Sequence, residues 1–161
     1  MKRLLLKLCG LLAALGLTGC NDYLAERELK PGISTAAEVR DRLGAPTMEW
    51  RNDDGSVTWE FARTPEGLRN YMVTIGKDNI MQSMQQVITQ ENFARIQAGM
   101  SHDQVRRILG KPGRIMQLHI KQQEVWDWMY VDETRHEMHF NVHFGPDGNV
   151  AETSKSDETK G

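Results

Sequence analysis

The chain repeats itself, and this limits what it can fold into more than any other feature. One stretch runs from Leu29 through Gly32, Val39, Leu43 and Gly44 to Pro46. A second runs from Ile96 through Gly99, Val105, Leu109 and Gly110 to Pro112, with one residue of slippage near Ser34. The match continues downstream. Trp59-Glu60-Phe61 aligns with Trp126-Asp127-Trp128, and Tyr71, Val73 and Ile75 align with Phe140, Val142 and Phe144. Gly76-Lys77-Asp78-Asn79 aligns loosely with Gly145-Pro146-Asp147-Gly148-Asn149. The period is about 67 residues, so the fold is expected to be one supersecondary unit made twice.

Local signals say what that unit contains. Thr35-x-x-Glu38 and Ser101-x-x-Gln104 are capping boxes, in which a hydroxyl and a carboxylate or amide satisfy the free amides at a helix start. Val39 and Leu43 form one apolar stripe, and Val105, Ile108 and Leu109 form the other. Gly44 and Gly110 can take the positive φ that ends a helix, and a proline two residues on prevents continuation. A shorter helix is expected before each, over 23–29 and over 91–97 with Thr89 as cap, and Gly32 and Gly99 mark the turns between the paired helices. Strands follow. Val57, Trp59 and Phe61 alternate with Thr58 and Glu60. Trp126, Trp128 and Tyr130 alternate with Asp127 and Met129, and Phe140, Val142 and Phe144 with His139, Asn141 and His143. Period two with bulky residues on one face predicts a sheet packed on one side and polar on the other. Asp53-Asp54-Gly55 and Pro146-Asp147-Gly148 are turns. The expected class is α+β, with two tandem helix-helix-antiparallel-sheet units over 29–87 and 88–153. A unit of roughly 60 residues buries a marginal core, so the two are expected to pack as one body with a shared sheet.

The first twenty residues, MKRLLLKLCGLLAALGLTGC, have the three parts of a secretory signal. Lys2, Arg3 and Lys7 make a positive start, residues 8–17 are apolar, and Leu17-Thr18-Gly19-Cys20 closes the segment. The apolar stretch falls short of the roughly 20 residues that a spanning helix needs. The closing tetrapeptide matches the lipobox of bacterial lipoproteins, which implies cleavage after residue 19 and lipid on Cys20. Residues 1–19 are therefore expected as signal peptide and 20–28 as the lipidated terminus running into the first helix. The two cysteines are Cys9 and Cys20; the first leaves with the signal, so no disulfide is expected in the mature chain. Several acyl chains anchor strongly where one holds only marginally. The whole chain has 20 Lys and Arg against 22 Asp and Glu; removing Lys2, Arg3 and Lys7 leaves 17 against 22, a charge of −5. That argues against a nucleic-acid partner and against a polybasic grip on anionic lipid. The last stretch, 154–161, is SKSDETKG and reads as a disordered tail.

Taken in order, these residues resemble the SmpA/OmlA, or BamE-like, lipoprotein domain: Gly99-Met100-Ser101, then Leu109-Gly110-Lys111-Pro112, a tryptophan strand, an aromatic strand and a Gly-x-Asp-Gly turn. The resemblance is weaker over 29–80 and stronger over 89–153. It implies a helix pair against an antiparallel sheet, as in the β-lactamase-inhibitor-protein architecture, itself a tandem of two such units. It implies an outer-membrane lipoprotein facing the periplasm that binds envelope proteins, among them the machinery that inserts β-barrels, without catalysis. Asn21 after the lipid-bearing cysteine, in place of the aspartate of inner-membrane retention, favours the outer membrane. The lead family member carries one unit and this chain two, which leaves a different partner open. The alternative function is a tethered inhibitor of a periplasmic hydrolase.

Nothing in the sequence adds up to an active site, and no cofactor is expected. His136, His139 and His143 with Glu137 suggest a metal site, but His136 is expected on the Phe140 face and the others opposite. His139 and His143 would lie roughly 13 Å apart at about 3.3 Å per residue, too far for one ion. Ser101 beside His102 is accounted for by helix capping, and G-x-S-x-G, H-E-x-x-H and P-loop patterns are absent. Asp53-Asp54 and Asp132-Glu133 are acidic pairs in turns. Trp59, Trp126 and Trp128 are expected in the core. The opposite sheet face carries Glu60, Met72, Asp127, Met129, His139, Asn141 and His143; mixed polar residues with adaptable methionines suit a surface that receives a partner.

Overall fold

The computed structural model describes residues 26–65 and 67–157. Cys20 and the signal segment lie outside the described residues, as do 158–161. After a helical turn at 26–28, helix α1 (Ala36–Leu43) leads into strands β1 (Met48–Arg51), β2 (Val57–Ala62), β3 (Asn70–Ile75) and β4 (Met81–Gln86). Helices α2 (Gln90–Ala94) and α3 (His102–Leu109) then lead into β5 (Arg114–Leu118), β6 (Gln123–Val131), β7 (Glu137–Phe144) and β8 (Val150–Asp157). The strands form two antiparallel meanders of four, β1-β2-β3-β4 and β5-β6-β7-β8. The class is α+β, as expected, but the sheets are separate and not shared. Residues 154–157, expected in a disordered tail, are the end of β8, paired along β7 through His139↔Ser156 and Asn141↔Ser154. Backbone pairing holds this strand although it lacks apolar residues at that end.

Both capping boxes form. Thr35 accepts from the Glu38 amide while Glu38 accepts from the Thr35 amide, and Ser101 and Gln104 do the same for α3. Each cap residue also bridges to the end of its own sheet, Thr35 to Ile80 and Ser101 to Asn149. Gly32 N–H donates to Met81 O and Gly99 N–H donates to Val150 O, both at 2.8 Å. Helix and sheet in each unit are thus tied at one end by backbone bonds that do not depend on side chains.

Apolar residues then close the other end. Val39 and Leu43 of α1 meet Trp59, Phe61, Tyr71, Val73 and Ile75 on the front of the first sheet. Val105 and Leu109 of α3, with Phe93 of α2, meet Trp126, Trp128, Tyr130, Phe140, Val142 and Phe144 on the front of the second. Phe93 stacks on Phe140 at 4.2 Å between ring centroids, a contact that adds to area burial. Burying one such aromatic side chain stabilises the fold by about 1.5–3 kcal/mol.

The two units meet through the back of the first sheet. Trp50, Met72 and Val87 form a small apolar cluster there. Helix α3 covers it with its polar side: Arg107 lies 5.4 Å over the Trp50 ring, and Arg106 binds Glu60 of β2. Asn70, at the start of β3, donates through Nδ2 to the carbonyls of Leu109 (3.0 Å) and Lys111 (2.9 Å). These are carbonyls that the end of α3 cannot satisfy itself. Gly110 takes φ +75° at this junction, and a side chain there would meet Asn70 Nδ2 at 3.0 Å. The glycine both ends the helix and makes room for the neighbouring unit.

Candidate functional site

The seven residues expected on an open face are mostly interior. Glu60 is fully buried, and Met72, Asp127, His139 and Asn141 are buried as well. Met129 and His143 keep partial exposure. The back faces of both sheets therefore differ from the solvated surface expected of them, and the reason differs between the two.

On the first sheet the covering element is α3. Glu60 Oε2 accepts from Arg106 Nε at 3.1 Å and Oε1 from Arg106 Nη2 at 3.2 Å, a two-pronged pair. Arg106 keeps 24 % of its side-chain exposure while Glu60 has none. A buried carboxylate needs such a partner, because an unpaired charge away from water is expensive.

On the second sheet the polar groups pair with one another, although His143 Nδ1 is buried without a hydrogen bond among the described residues. His139 Nδ1 lies 2.8 Å from Asp127 Oδ2, across the β6–β7 pairing. The bond ties together the two central strands of the second sheet. Asn141 Nδ2 donates to Ser156 Oγ at 3.1 Å, and His143 Nε2 lies 3.0 Å from Ser154 Oγ. Burial holds the His143 imidazole below its usual pKa; Glu152 works against this shift and Lys121 with it.

The turn between β2 and β3 crosses from the first unit to this face. Thr64 donates through Oγ1 to Lys111 O at 3.0 Å, and Pro65 packs beside Gly113. Together with Arg114, Asp127, Met129 and His139 these residues line a half-open cavity of about 280 Å³. Arg114 Nη2 is 3.9 Å from Asp127 Oδ1, a charge contact beyond hydrogen-bond length. Sequence reasoning missed Arg114, Thr64 and Pro65. The repeat carried one usable signal: β1 and β5 each begin two residues after the paired prolines, Pro46 and Pro112.

The histidines do not gather. His136 sits in the β6–β7 turn, not in a strand, with Nδ1 2.8 Å from Thr134 Oγ1. Among the described residues, no three His, Cys, Asp or Glu side chains are placed to hold a metal ion. His102 stacks on Phe144 at 3.8 Å and meets Glu124 Oε1 at 3.0 Å, while Ser101 beside it is engaged in the helix cap. Among the described residues no helix is long and apolar enough to cross a membrane.

No curated protein matches the chain. Three solved structures resemble it at low identity. One is described as an osmotically inducible lipoprotein, OsmE, with 20 % identity over 46 % of this chain and 78 % of that one, at a TM-score of 0.39. Another is a DUF4309 family protein, YjgB, from Bacillus subtilis subsp. subtilis str. 168, with 17 % identity over 81 % and 83 % and a TM-score of 0.32. The third, from Streptococcus mutans, is described as a β-lactamase inhibitor protein, with 11 % identity over 88 % and 99 % and a TM-score of 0.36. Residues 86–154, which hold α2, α3 and nearly all of the second sheet, match the family described as the outer membrane protein assembly factor BamE domain.

Proposed function

We propose that the protein is a lipid-anchored lipoprotein of the outer membrane, facing the periplasm, that binds envelope proteins and supports assembly of outer-membrane proteins without catalysing a reaction. The observation that carries this reading is the BamE-domain match over residues 86–154. The Leu17-Thr18-Gly19-Cys20 sequence supports it from the other end of the chain, by placing a lipid-acceptor cysteine after a short apolar segment. We take the first unit as a second, more divergent copy of the same domain, on the strength of the aligned glycines, prolines and capping boxes. Partner contact on the second sheet's back face is then limited to what the seam leaves accessible, including Met129 and His143.

Two measurements test this. Mass spectrometry of the mature amino terminus should find acylated Cys20, and Cys20→Ser should leave an unprocessed precursor. An unmodified terminus at another residue would remove the lipoprotein reading. Affinity purification from detergent-solubilised envelopes should recover barrel-assembly subunits; recovery of a hydrolase in their place would make the protein a tethered inhibitor.

A further inference from the structure

We propose that β5 is an open sheet edge that receives an extended segment of another polypeptide as a fifth, antiparallel strand. The segment that fits has apolar residues at alternate positions and an acidic residue just ahead of them. This inference rests on the reading of the protein as a binder of other proteins, and not on its membrane anchor.

A strand with a neighbour on one side turns half of its N–H and C=O groups outward, where they template a further strand unless something guards them. Among the described residues there are four such edges, β1 and β4 on the first sheet and β5 and β8 on the second. Three are guarded. Strand β1 is four residues long and sets the charges of Glu49 and Arg51 on either side of Trp50, with Glu49 paired to Arg40. Strands β4 and β8 each slip one residue against their neighbours, at Thr74/Ile75 and at His143/Phe144, and a bulge of this kind twists an edge away from a flat partner. Strand β8 also carries Glu152, Lys155 and Asp157. Strand β5 has none of these devices. It pairs with β6 in one unbroken register from Arg114 to Leu118, contains no proline, and has its one charge at its first position.

Its side chains ask for cover as well. Of the six large apolar residues exposed among the described residues, three lie on this strand and the turn after it: Ile115, Leu118 and Ile120. The register puts Ile115 on the front of the sheet beside Trp126, and Met116 and Leu118 on the back beside Val125. An added strand with alternating apolar residues covers them, while its main chain takes up the outward groups of β5. In such additions main-chain bonds supply affinity and alternate side chains supply selectivity.

Charge decides between another polypeptide and a second copy of this chain. Glu124, opposite Gln117 on β6, is already engaged: it accepts from Gln117 Nε2 and Trp126 Nε1, both at 2.7 Å, and lies 3.0 Å from His102 Nε2. Lys121 is left exposed in the turn beyond Leu118. An antiparallel strand begins beside the end of β5, so an acidic residue ahead of its apolar stretch falls next to Lys121. A second β5 offers none, because residues 111–121 contain no Asp or Glu.

The test uses the full chain in a non-ionic detergent, with acetyl-Asp-Glu-Val-Thr-Val-Thr-Val-amide as probe. Binding is read by calorimetry and by protection of the β5 amides from hydrogen exchange. Two further peptides are N-methylated, each at one alternate set of residues. One should bind like the parent and the other should lose about tenfold or more, because only one set donates to β5. Leu118→Lys places a guard on the edge and should also lose about tenfold or more. Lys121→Glu should bind more weakly and recover with a peptide that begins Lys-Lys. Thermal melting checks that both variants fold. The proposal is overturned if both N-methylated peptides bind alike, if the β5 amides gain no protection, if folded Leu118→Lys binds like the wild type, or if the acidic and the lysine-led peptides bind the wild type alike. A dimer that Leu118→Lys breaks, with no peptide bound, overturns it in favour of a second copy. Capture of the same envelope proteins by wild type and Leu118→Lys, with no peptide bound, overturns the edge while the binding reading stands.

Discussion

Removing Arg106 should destabilise the protein more than removing its partner Glu60, and removing both should cost less than removing Arg106 alone. Glu60 is wholly buried and takes both its hydrogen bonds from the Arg106 guanidinium. Arg106→Met leaves a carboxylate inside the seam with no cation, which costs about 3–5 kcal/mol in comparable sites. Arg106 retains a quarter of its exposure, so water can enter beside the truncated side chain and the lower end, about 3 kcal/mol, is expected. Glu60→Met instead frees a guanidinium that can turn its head to solvent along its own stem, and about 1–2 kcal/mol is lost. The double variant replaces the pair with two apolar side chains and should lie within about 1 kcal/mol of wild type. Urea unfolding of all four proteins measures this, with the slope checked so that a midpoint shift can be read as stability. For a protein of this size the single Arg106 variant should melt roughly 10 °C lower. The reasoning is refuted if Arg106→Met costs under about 1 kcal/mol, or if the two single losses add in the double variant.

Asn70→Ala should cost about 1–3 kcal/mol by stranding the carbonyl of Leu109, while that of Lys111 keeps its bond from Thr64 Oγ1, and Asn70→Asp should cost more because it aims an acceptor at two acceptors; unfolding titrations giving the reverse order would contradict the junction's geometry. Stability should also fall in two steps on acidification. The His143 imidazole is held below its ordinary value near 6.5, so the unfolded chain takes up that proton first and the urea midpoint should begin to fall below pH 6.5, less so in His143→Gln. Asp54, Asp132 and Asp147 are held low mainly by hydrogen bonds from Ser56, His136 and Asn149 within their own turns, and Glu38 by the Thr35 amide. Their contribution is complete above about pH 5 and is lost as pH falls through the depressed values, so midpoints at pH 5 and pH 3 should differ in both proteins.

How much could be read in the sequence depended on whether a signal was local. The capping boxes were legible because cap and partner are three residues apart. The four inner strands were legible because each alternates bulky apolar residues against polar ones. Strands β4 and β8 were not: MQSMQQ and VAETSKSD have no such alternation, and pairing on one side by an already formed neighbour is enough to make them strands. The back face was misjudged for a related reason. Glu60 and Asp127 look the same in sequence whether water or a cation surrounds them. The cation that buries Glu60 is 46 residues away on a helix of the other unit. Arg114 was overlooked because β5, the strand that sets it opposite Asp127, was itself not foreseen.

The seam also has a consequence for the order of folding. The strands of the first sheet are complete at Gln86, and the element that covers the back of that sheet ends only at Leu109. Until that helix docks, Trp50, Met72 and Val87 lie open to solvent beside a Glu60 that has not met its arginine. The first unit is thus at its most adhesive just before the second folds onto it, and that face is where folding helpers in the compartment that receives the chain can act.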